Sequence, residues 1–228
     1  MFLRIEKLLG EEQLATVRAS LNGECAPWMD GRVTAGHQGA PVKHNQQLEE
    51  GSGMARELGN FILTQLERNA LFISAVLPNK VYPPMFNRYG EGMYFGTHVD
   101  GSVRMIPGSP HKLRTDLSAT LFLAEPRSYE GGELVVESDL GCQSAKFAAG
   151  DMIVYSSTSR HRVNAITRGE RLASVFWIQS LIRDDARRAQ LFELDATIQR
   201  LTQTRADADS LVRLTAHYHG LLKAWTEI

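Results

Sequence analysis

Eight consecutive residues, Tyr94-Phe95-Gly96-Thr97-His98-Val99-Asp100-Gly101, carry the most informative pattern in this sequence. In an extended strand, side chains two positions apart project from the same face. An imidazole nitrogen of His98 and a carboxylate oxygen of Asp100 can therefore converge on one metal ion. A single His-x-Asp triplet is weak evidence on its own, because it also arises by chance, so a third ligand from elsewhere in the chain has to complete the site.

The third ligand that the sequence offers is His161, which follows a strand-like apolar run at residues 152–155. Two histidines and one carboxylate on one face of an octahedron leave three coordination positions open. That arrangement suits ferrous iron, which can then take a bidentate cosubstrate and O₂. We therefore expect His98, Asp100 and His161 to form an Fe(II) site.

A charged residue, Arg171, begins the next strand-like run, which ends at Gln179. The period of two in that run puts Arg171 on the same face as Ala173, Val175 and Trp177, which we expect to be the inside of a barrel. An unpaired guanidinium there would be costly, so Arg171 needs an anion. A dicarboxylate cosubstrate that chelates the iron with one end would supply that anion through a two-point salt bridge.

The region around these residues has the pattern of short β-strands separated by turns. Turn signals such as Gly131-Gly132 and Gly150-Asp151 recur from residue 81 to residue 181. Between residues 116 and 123, apolar and mostly polar side chains alternate with the period of a strand. Many short strands at close spacing predict a sandwich or a barrel.

Helical periodicity flanks this β-region on both sides, at residues 11–21, at 53–69 and after residue 182. The expected fold class is therefore mainly β with flanking α. We expect an N-terminal helical and extended support at residues 1–80, an iron-binding β core at 81–182 and a C-terminal helical segment at 183–228. The stripe along the last helix is too apolar to be left in water, which predicts packing against the chain or self-association into a homo-oligomer.

The composition of the 228 residues excludes several classes of protein. Lys plus Arg is 25 against 26 for Asp plus Glu, a net charge of −1, which argues against a nucleic-acid partner. No apolar run is long enough to span a membrane, and charged residues interrupt the first ten positions as no signal peptide would. Cys25 and Cys142 lack the C-x-x-C spacing of a zinc or dithiol site and fit the reduced thiols of a cytoplasmic protein.

Several short motifs around the predicted iron site carry a family resemblance. They are Asn87-Arg88-Tyr89, Thr97-His98-Val99-Asp100, Arg114-Thr115-Asp116-Leu117-Ser118-Ala119-Thr120, His161-Arg162-Val163 and Arg168-Gly169-Glu170-Arg171. In this order they resemble the bacterial PKHD-type hydroxylases, which are iron(II)- and 2-oxoglutarate-dependent dioxygenases of the prolyl-hydroxylase type. The resemblance extends over nearly the whole chain.

The resemblance implies a double-stranded β-helix (jelly-roll) core, with iron held by His98, Asp100 and His161 and with 2-oxoglutarate held by Arg171. It also implies dependence on L-ascorbate (vitamin C). The expected function is then the hydroxylation of an unidentified small-molecule or protein substrate. That reaction consumes O₂ and 2-oxoglutarate and releases succinate and CO₂.

Two alternatives stay open. A cupin-like metalloenzyme would use the same triad without 2-oxoglutarate, and a non-catalytic iron-sensing or iron-binding module would use the same scaffold without turnover. Neither needs a buried cation after the last ligand, so Arg171 separates them from the dioxygenase. Tyr89, Thr120 and Trp177 either line the pocket or pack in the core, and the sequence does not decide between these roles.

Overall fold

The computed structural model of the protein describes residues 1–138 and 141–227. Its strands are β1 (Phe2–Ile5), β2 (Trp28–Asp30), β3 (Lys43–His44), β4 (Gln46–Leu48), β5 (Pro78–Val81), β6 (Met85–Tyr89), β7 (Tyr94–His98), β8 (Val103–Met105), β9 (Lys112–Arg114), β10 (Leu117–Phe122), β11 (Tyr129–Gly131), β12 (Leu134–Ser138), β13 (Gly141–Ala145), β14 (Met152–Ser156), β15 (His161–Val163), β16 (Ile166–Gly169) and β17 (Arg171–Ser180). Its helices are α1 (Glu11–Leu21), α2 (Gly53–Glu67), α3 (Ala70–Val76), α4 (Asp185–Gln203) and α5 (Ala208–Trp225), with 3₁₀ turns at Gly31–Thr34 and Ala40–Val42.

Among the described residues, the larger sheet has eight strands in the order β1-β14-β10-β17-β6-β4-β2, with β5 paired to β17. The alternation predicted for residues 116–123 forms β10, which pairs with β17 in an antiparallel register. All of β10 is buried, because both of its faces are covered. Ser118 and Thr120 line a cavity, whereas Leu117 and Leu121 join the hydrophobic core.

The smaller sheet has five described strands in the order β13-β12-β15-β7-β3. In its centre, His161 of β15 lies opposite His98 of β7. Along the chain the strands alternate between the two sheets, since β10, β14 and β17 belong to the large sheet and β12, β13 and β15 to the small one. This alternation is that of a jelly roll, or double-stranded β-helix, which confirms the predicted fold class.

The segment before β5 contributes strands to both sheets and helices to the hydrophobic core. Its strand β1 pairs with β14, and its strand β3 pairs with β7. Helix α1 has the predicted bounds, and its apolar stripe is buried. The helical pattern at residues 53–69 forms α2 as far as Glu67. There Asn69 accepts a hydrogen bond from the Phe72 N–H at 2.8 Å and starts the separate helix α3.

The last two helices, α4 and α5, form a helical hairpin beside the end of the large sheet. Leu191 of α4 is fully buried in a small apolar cluster with Leu77 and Ile182. Partly buried residues that pack on this cluster are Leu181, Tyr218, Leu221, Leu222 and Trp225. Much of the predicted stripe on the last helix therefore packs against the chain itself. No helix in the described part of the chain is both long and apolar enough to cross a membrane.

Candidate metal centre and cosubstrate pocket

A cavity of about 770 Å³ opens between the large and the small sheet. Its walls include Tyr89, Thr120 and Arg171 from the large sheet, and His98 and His161 from the small sheet. Cavities of this size are typical of small-molecule sites. The residues that the sequence singled out for iron and for the anion therefore meet in one space.

The three expected metal ligands converge on the small-sheet wall of this cavity. Strand β7 ends at His98, Asp100 follows in the next loop, and His161 begins β15 opposite His98. One ligand atom from each of these residues lies within 4.8 Å of the other two. His161 Nε2 is 3.7 Å from Asp100 Oδ2, and the two imidazole centroids are 4.2 Å apart. One ion can therefore contact all three side chains.

Hydrogen bonds to the backbone fix which nitrogen of each imidazole is free. His98 Nδ1 is 2.8 Å from the Gly96 carbonyl oxygen, and His161 Nδ1 is 3.0 Å from the Ser159 carbonyl oxygen. A carbonyl oxygen can only accept, so each Nδ1 carries the proton and donates it. Each Nε2 then keeps its lone pair for a metal ion.

The surroundings keep His98 uncharged. Burial is the main reason that the pKa of His98 is lowered to about 4, and the positive charge that His161 can carry is the second. The Phe95 ring stacks on the His98 imidazole at 3.5 Å, with 14° between the planes. Because a metal-binding imidazole must be neutral, this environment holds His98 in its binding form at neutral pH.

Ser118 of β10 orients the carboxylate of Asp100. The Ser118 hydroxyl donates to Asp100 Oδ2 at 2.5 Å. This bond ties the loop after β7 to the centre of the large sheet and fixes the orientation of the carboxylate beside His161. Hydrogen-bonded ligands of this kind hold their geometry when the metal is absent.

The donor set fits ferrous iron. Two imidazole nitrogens and one carboxylate oxygen form the facial triad of non-haem Fe(II) oxygenases, in which the remaining positions stay open. The hydrogen bonds from both Nδ1 atoms and to Asp100 are the support that such ligands usually have. Elsewhere in residues 1–138 and 141–227, no second group of three metal-binding side chains comes together.

Arg171 lies deep in the cavity and has no partner of opposite charge among the residues that the structure describes. Only 2% of this residue is exposed, and its guanidinium carbon is 5.3 Å from the ring centroid of Tyr89 and 5.6 Å from that of Phe122. Within the described residues, its Nε has no hydrogen-bond partner and no carboxylate forms an ion pair with it. Because an unpaired buried guanidinium is costly, this end of the cavity fits a carboxylate ligand.

Gly132 leaves the room that the side chain of Arg171 occupies. Its φ is +69°, a conformation that favours glycine. A Cβ atom at this position would lie 2.4 Å from Ile166 Cδ1 and 3.2 Å from Arg171 Cδ. The glycine therefore serves both the turn after β11 and the placement of the arginine.

Similar proteins place the chain in a family. The sequence model of the 2OG-Fe(II) oxygenase superfamily matches residues 84–179, and that of the PKHD-type hydroxylase C-terminal domain matches residues 185–227. A PKHD-type hydroxylase of Cupriavidus metallidurans is 58% identical over 227 residues, which cover 100% of both chains. The chain belongs to the PKHD-type hydroxylases. Another PKHD-type hydroxylase, from Pseudomonas putida, is 50% identical over 228 residues and 100% of both chains.

Membership of this family makes the protein an Fe(II)- and 2-oxoglutarate-dependent dioxygenase whose substrate is unknown. Two solved structures share its fold at low identity. A Pseudomonas putida prolyl-4-hydroxylase has a TM-score of 0.52 at 19% identity and covers 78% of this chain and 92% of its own. A Trichoplax adhaerens prolyl hydroxylase, solved with a hypoxia inducible factor peptide, has a TM-score of 0.55 at 14% identity, over 78% of this chain and 82% of its own. At these identities the likeness shows the jelly-roll fold alone.

Three residues whose role the sequence left open all line the cavity of this PKHD-type hydroxylase. They are Tyr89, Thr120 and Trp177, and all three are also buried. Burial raises the pKa of Tyr89, so its hydroxyl stays protonated close to Arg171. Packing and pocket lining are therefore not exclusive roles here, because the cavity wall is also the edge of the core.

Sequence reasoning missed Ser118, Lys43 and Arg104 as residues of this cavity in the PKHD-type hydroxylase. The alternation along β10 could have identified Ser118, because it shares a strand face with Thr120. No sequence signal marks the other two. Lys43 and Arg104 lie on strands of two and three residues, which are too short for a periodic pattern.

Proposed function

We propose that this PKHD-type hydroxylase binds Fe(II) through His98, Asp100 and His161 and binds the distal carboxylate of 2-oxoglutarate through Arg171. One observation carries the proposal. A metal-binding triad and a buried guanidinium without an acidic partner among the described residues line the same cavity. A cupin-like metalloenzyme or an iron sensor would leave that guanidinium unexplained.

Bound iron supplies the redox chemistry that couples decarboxylation of 2-oxoglutarate to hydroxylation of a C–H bond. In the overall reaction, one oxygen atom of O₂ enters the substrate and the other enters succinate, and CO₂ leaves from the 2-oxo acid. The atoms and electrons balance without any further reductant. The substrate is a small molecule or a protein residue with a C–H bond that reaches the cavity.

The chain's own residues bind, orient and exclude water. The Nδ1–H groups of His98 and His161 donate to backbone carbonyls and aim both Nε2 atoms at the metal position. Ser118 holds the Asp100 carboxylate. Arg171 orients the cosubstrate by a two-point salt bridge, and its buried position between aromatic rings strengthens that bond by keeping water away.

The test is an anaerobic titration of the Fe(II)-loaded protein with 2-oxoglutarate, followed by the visible metal-to-ligand absorption band. Arg171→Ala should keep its iron and lose the band, because about 2–5 kcal/mol of charge-assisted bonding, roughly 30- to 4,000-fold in affinity, is removed. Arg168→Ala, which removes an exposed arginine paired with Glu130, is the matched control and should keep the band. If Arg171→Ala bound 2-oxoglutarate as the parent does, the cosubstrate site would have to lie elsewhere.

Three finer properties belong to the same proposal. Ascorbate is expected to sustain turnover, as the family resemblance implies, and omitting it from the assay tests this. A cytoplasmic location is supported by Cys25 and Cys142, which are both free and exposed, as thiols are in a reducing compartment. A nucleic-acid partner is not expected at a net charge of −1.

The proposed division of the chain places the support at residues 1–80, the dioxygenase core at 81–182 and the C-terminal helical segment at 183–228.

We also propose that α5 mediates association between copies of the chain. Val212 on this helix is 67% exposed. Val212→Asp should then have a lower sedimentation coefficient than the parent, because the charge weakens association. An unchanged coefficient would contradict the role proposed for this helix.

A further inference from the structure

The charged side chains of the cavity are mostly cationic. Among the described residues, Lys43, Arg104 and Arg171 line it, whereas Asp100 is the one carboxylate that does. The histidines that line it are His98 and His161 of the metal centre and the exposed His37 at the mouth. If Fe(II) and 2-oxoglutarate bind as proposed above, the charges of the ion, the cosubstrate, Asp100 and Arg171 sum to zero. Lys43 and Arg104 are then two cations that neither iron nor cosubstrate explains.

Arg104 is held by aromatic faces instead of by an acid. Its guanidinium carbon is 4.0 Å from the ring centroid of Trp177 and 5.0 Å from that of Tyr82. Within the described residues, its Nε is buried without a hydrogen-bond partner, and no ion pair includes it. Stacking fixes the plane of a guanidinium and leaves its N–H groups for an acceptor.

Lys43 is the second unexplained cation, and it is 6% exposed. Its ammonium donates to Thr34 Oγ1 at 3.0 Å and to Gln47 Oε1 at 3.1 Å, which are both neutral oxygens. It also lies 5.4 Å from the centroid of the Phe95 ring, whose stacking partner is the metal-centre residue His98. Burial, followed by repulsion from Arg104, lowers the pKa of Lys43 to about 8, so the group is still mainly protonated at pH 7.

One acid lies behind this wall and offsets part of the positive charge. Glu50 accepts hydrogen bonds from Gln47 Nε2 at 3.3 Å and from the Tyr82 hydroxyl at 3.2 Å. It does not line the cavity, so the surface that a substrate meets stays cationic. A donor without a partner points to the same chemistry, because Trp177 Nε1 is buried, lines the cavity and has no acceptor among the described residues.

Exposed apolar side chains form part of the mouth of the cavity. Val33, Val99, Val103 and Met105 line it and are each more than half exposed, at 63%, 51%, 57% and 53%. Apolar side chains that are exposed around a pocket mouth usually contact a ligand. Hydrogen-bond donors for an anion and apolar rim residues therefore occur in the same opening.

We infer that the substrate is an apolar organic acid whose carboxylate is bound by Arg104 and Lys43, with Trp177 Nε1 as a further donor. The inference deepens the proposed function and rests on it, because it assigns Arg171 to 2-oxoglutarate. It makes Arg104 and Lys43 the residues that select the substrate. Neither is assigned to iron or to cosubstrate binding.

The probe is 4-fluorobenzoate, with 4-fluorobenzamide as its neutral counterpart of the same shape. Both are titrated by ¹⁹F NMR into protein loaded with Zn(II) in place of iron and saturated with 2-oxoglutarate, so that Arg171 is already occupied. The acid should bind about ten- to a hundredfold more tightly than the amide, the range expected for hydrogen bonds to charged groups. Arg104→Gln and Lys43→Met should each remove most of that preference and leave the amide affinity unchanged.

Lys112→Met is the matched control, because Lys112 is an exposed cation on the β8–β9 hairpin that also carries Arg104, and it does not line the cavity. It should bind the acid as the parent does. Calorimetric binding of 2-oxoglutarate to every variant shows that its pocket is folded, and Arg104→Met, which is also uncharged, replaces Arg104→Gln if the latter fails that check.

Three outcomes would overturn the inference, provided that 2-oxoglutarate still binds. They are equal binding of acid and amide, no binding of either, and a preference for the acid that survives both substitutions. Failure of the parent to bind 2-oxoglutarate would instead overturn the proposed function, and the inference with it.

Discussion

At the metal centre, Asp100 supplies the one negative charge among the three proposed ligands. Asp100→Ala leaves two neutral imidazoles, so we expect tight binding of Fe(II) to be lost. The measurement is iron per chain after desalting under anaerobic conditions. Asp209→Ala removes an exposed carboxylate on α5 and should keep the iron content of the parent. Unchanged iron in Asp100→Ala would mean that the ligands have been misassigned.

Ser118 holds the carboxylate of Asp100 and is therefore a positioning residue for the proposed metal site. Ser118→Ala removes its hydrogen bond to the carboxylate, and loss of such a support lowers metal affinity by about 10- to 100-fold. Competition with a metal chelator measures the change. Ser128→Ala, at an exposed serine whose hydroxyl donates to the Glu125 carbonyl, should leave the affinity as it is. The same Fe(II) affinity for Ser118→Ala and the parent would show that Asp100 needs no support.

Individual ligands could be predicted from the sequence because their chemistry is specific. Few residue types bind iron, so strand periodicity together with ligand preference selects the two histidines and the aspartate as ligands. Ser118 could not be selected in this way, since its role depends on where the loop after β7 meets β10 in the folded chain. The roles proposed for these residues remain predictions until the variants are measured.

At the level of elements, the turn between β11 and β12 positions Arg171. Gly132→Ala forces a side chain into a φ of +69° and into contact with Ile166 and Arg171, so we expect about 1–3 kcal/mol of destabilisation and weaker 2-oxoglutarate binding. Urea unfolding and a 2-oxoglutarate titration measure the two effects. Gly92→Ala is the matched control, because Gly92 has a φ of +77° with no atom within 4 Å of the added Cβ. It should lose stability without losing 2-oxoglutarate affinity, and equal affinity losses in both variants would refute the role of Gly132.

The C-terminal helical hairpin covers an apolar end of the core, and Leu191 carries much of that contact. Leu191→Ala should cost about 2–5 kcal/mol, since the residue is fully buried, whereas Gln190→Ala at an exposed position of the same helix should cost little. Urea unfolding measures both. A chain cut after Ile182 loses the helices that cover Leu77 and Ile182 and should aggregate during sedimentation. A truncated chain that stays folded, soluble and unchanged in assembly would show that the hairpin is dispensable.

Elements with a long apolar period were predicted well, and short ones were not. The residues of α1 follow from its stripe, whereas the pattern at 53–69 hides the break at Asn69, whose side chain caps α3. Strands as short as β3 and β8 contain too few residues to show any period. These are the strands that bring Lys43 and Arg104 to the cavity, so no sequence pattern pointed to the binding site inferred there.

For the whole molecule, ligands that bind only the folded chain should raise its stability. Metal or 2-oxoglutarate at a hundredfold excess over its Kd contributes about 2.7 kcal/mol, which for a chain of this size is a rise of about 5–11 °C in Tm. Thermal unfolding with Zn(II), and then with 2-oxoglutarate added, measures each step. Arg171→Ala should keep the metal step and lose the second, and Asp100→Ala should lose the first. A full second step in Arg171→Ala would contradict the pocket assignment.

The order of strands in the two sheets could not be predicted from periodicity, because pairing partners lie far apart in the chain. Strand β1 meets β14, and β6 meets β17, across long stretches of sequence that carry no pairing code. The family resemblance, not the periodicity, implied the jelly roll. Whether copies of the chain associate depends on surfaces that one chain does not cover, so that prediction is still to be tested.

The central strand of the large sheet, β17, is also the last barrel strand to leave the ribosome, although it lies between β10 and β6. Until residues 171–180 are translated, those two neighbours have open edges that can pair with other nascent chains. Arg171 arrives on the same strand. A partly synthesised chain therefore has neither a closed barrel nor the proposed anchor for its cosubstrate, and we expect it to consume no 2-oxoglutarate.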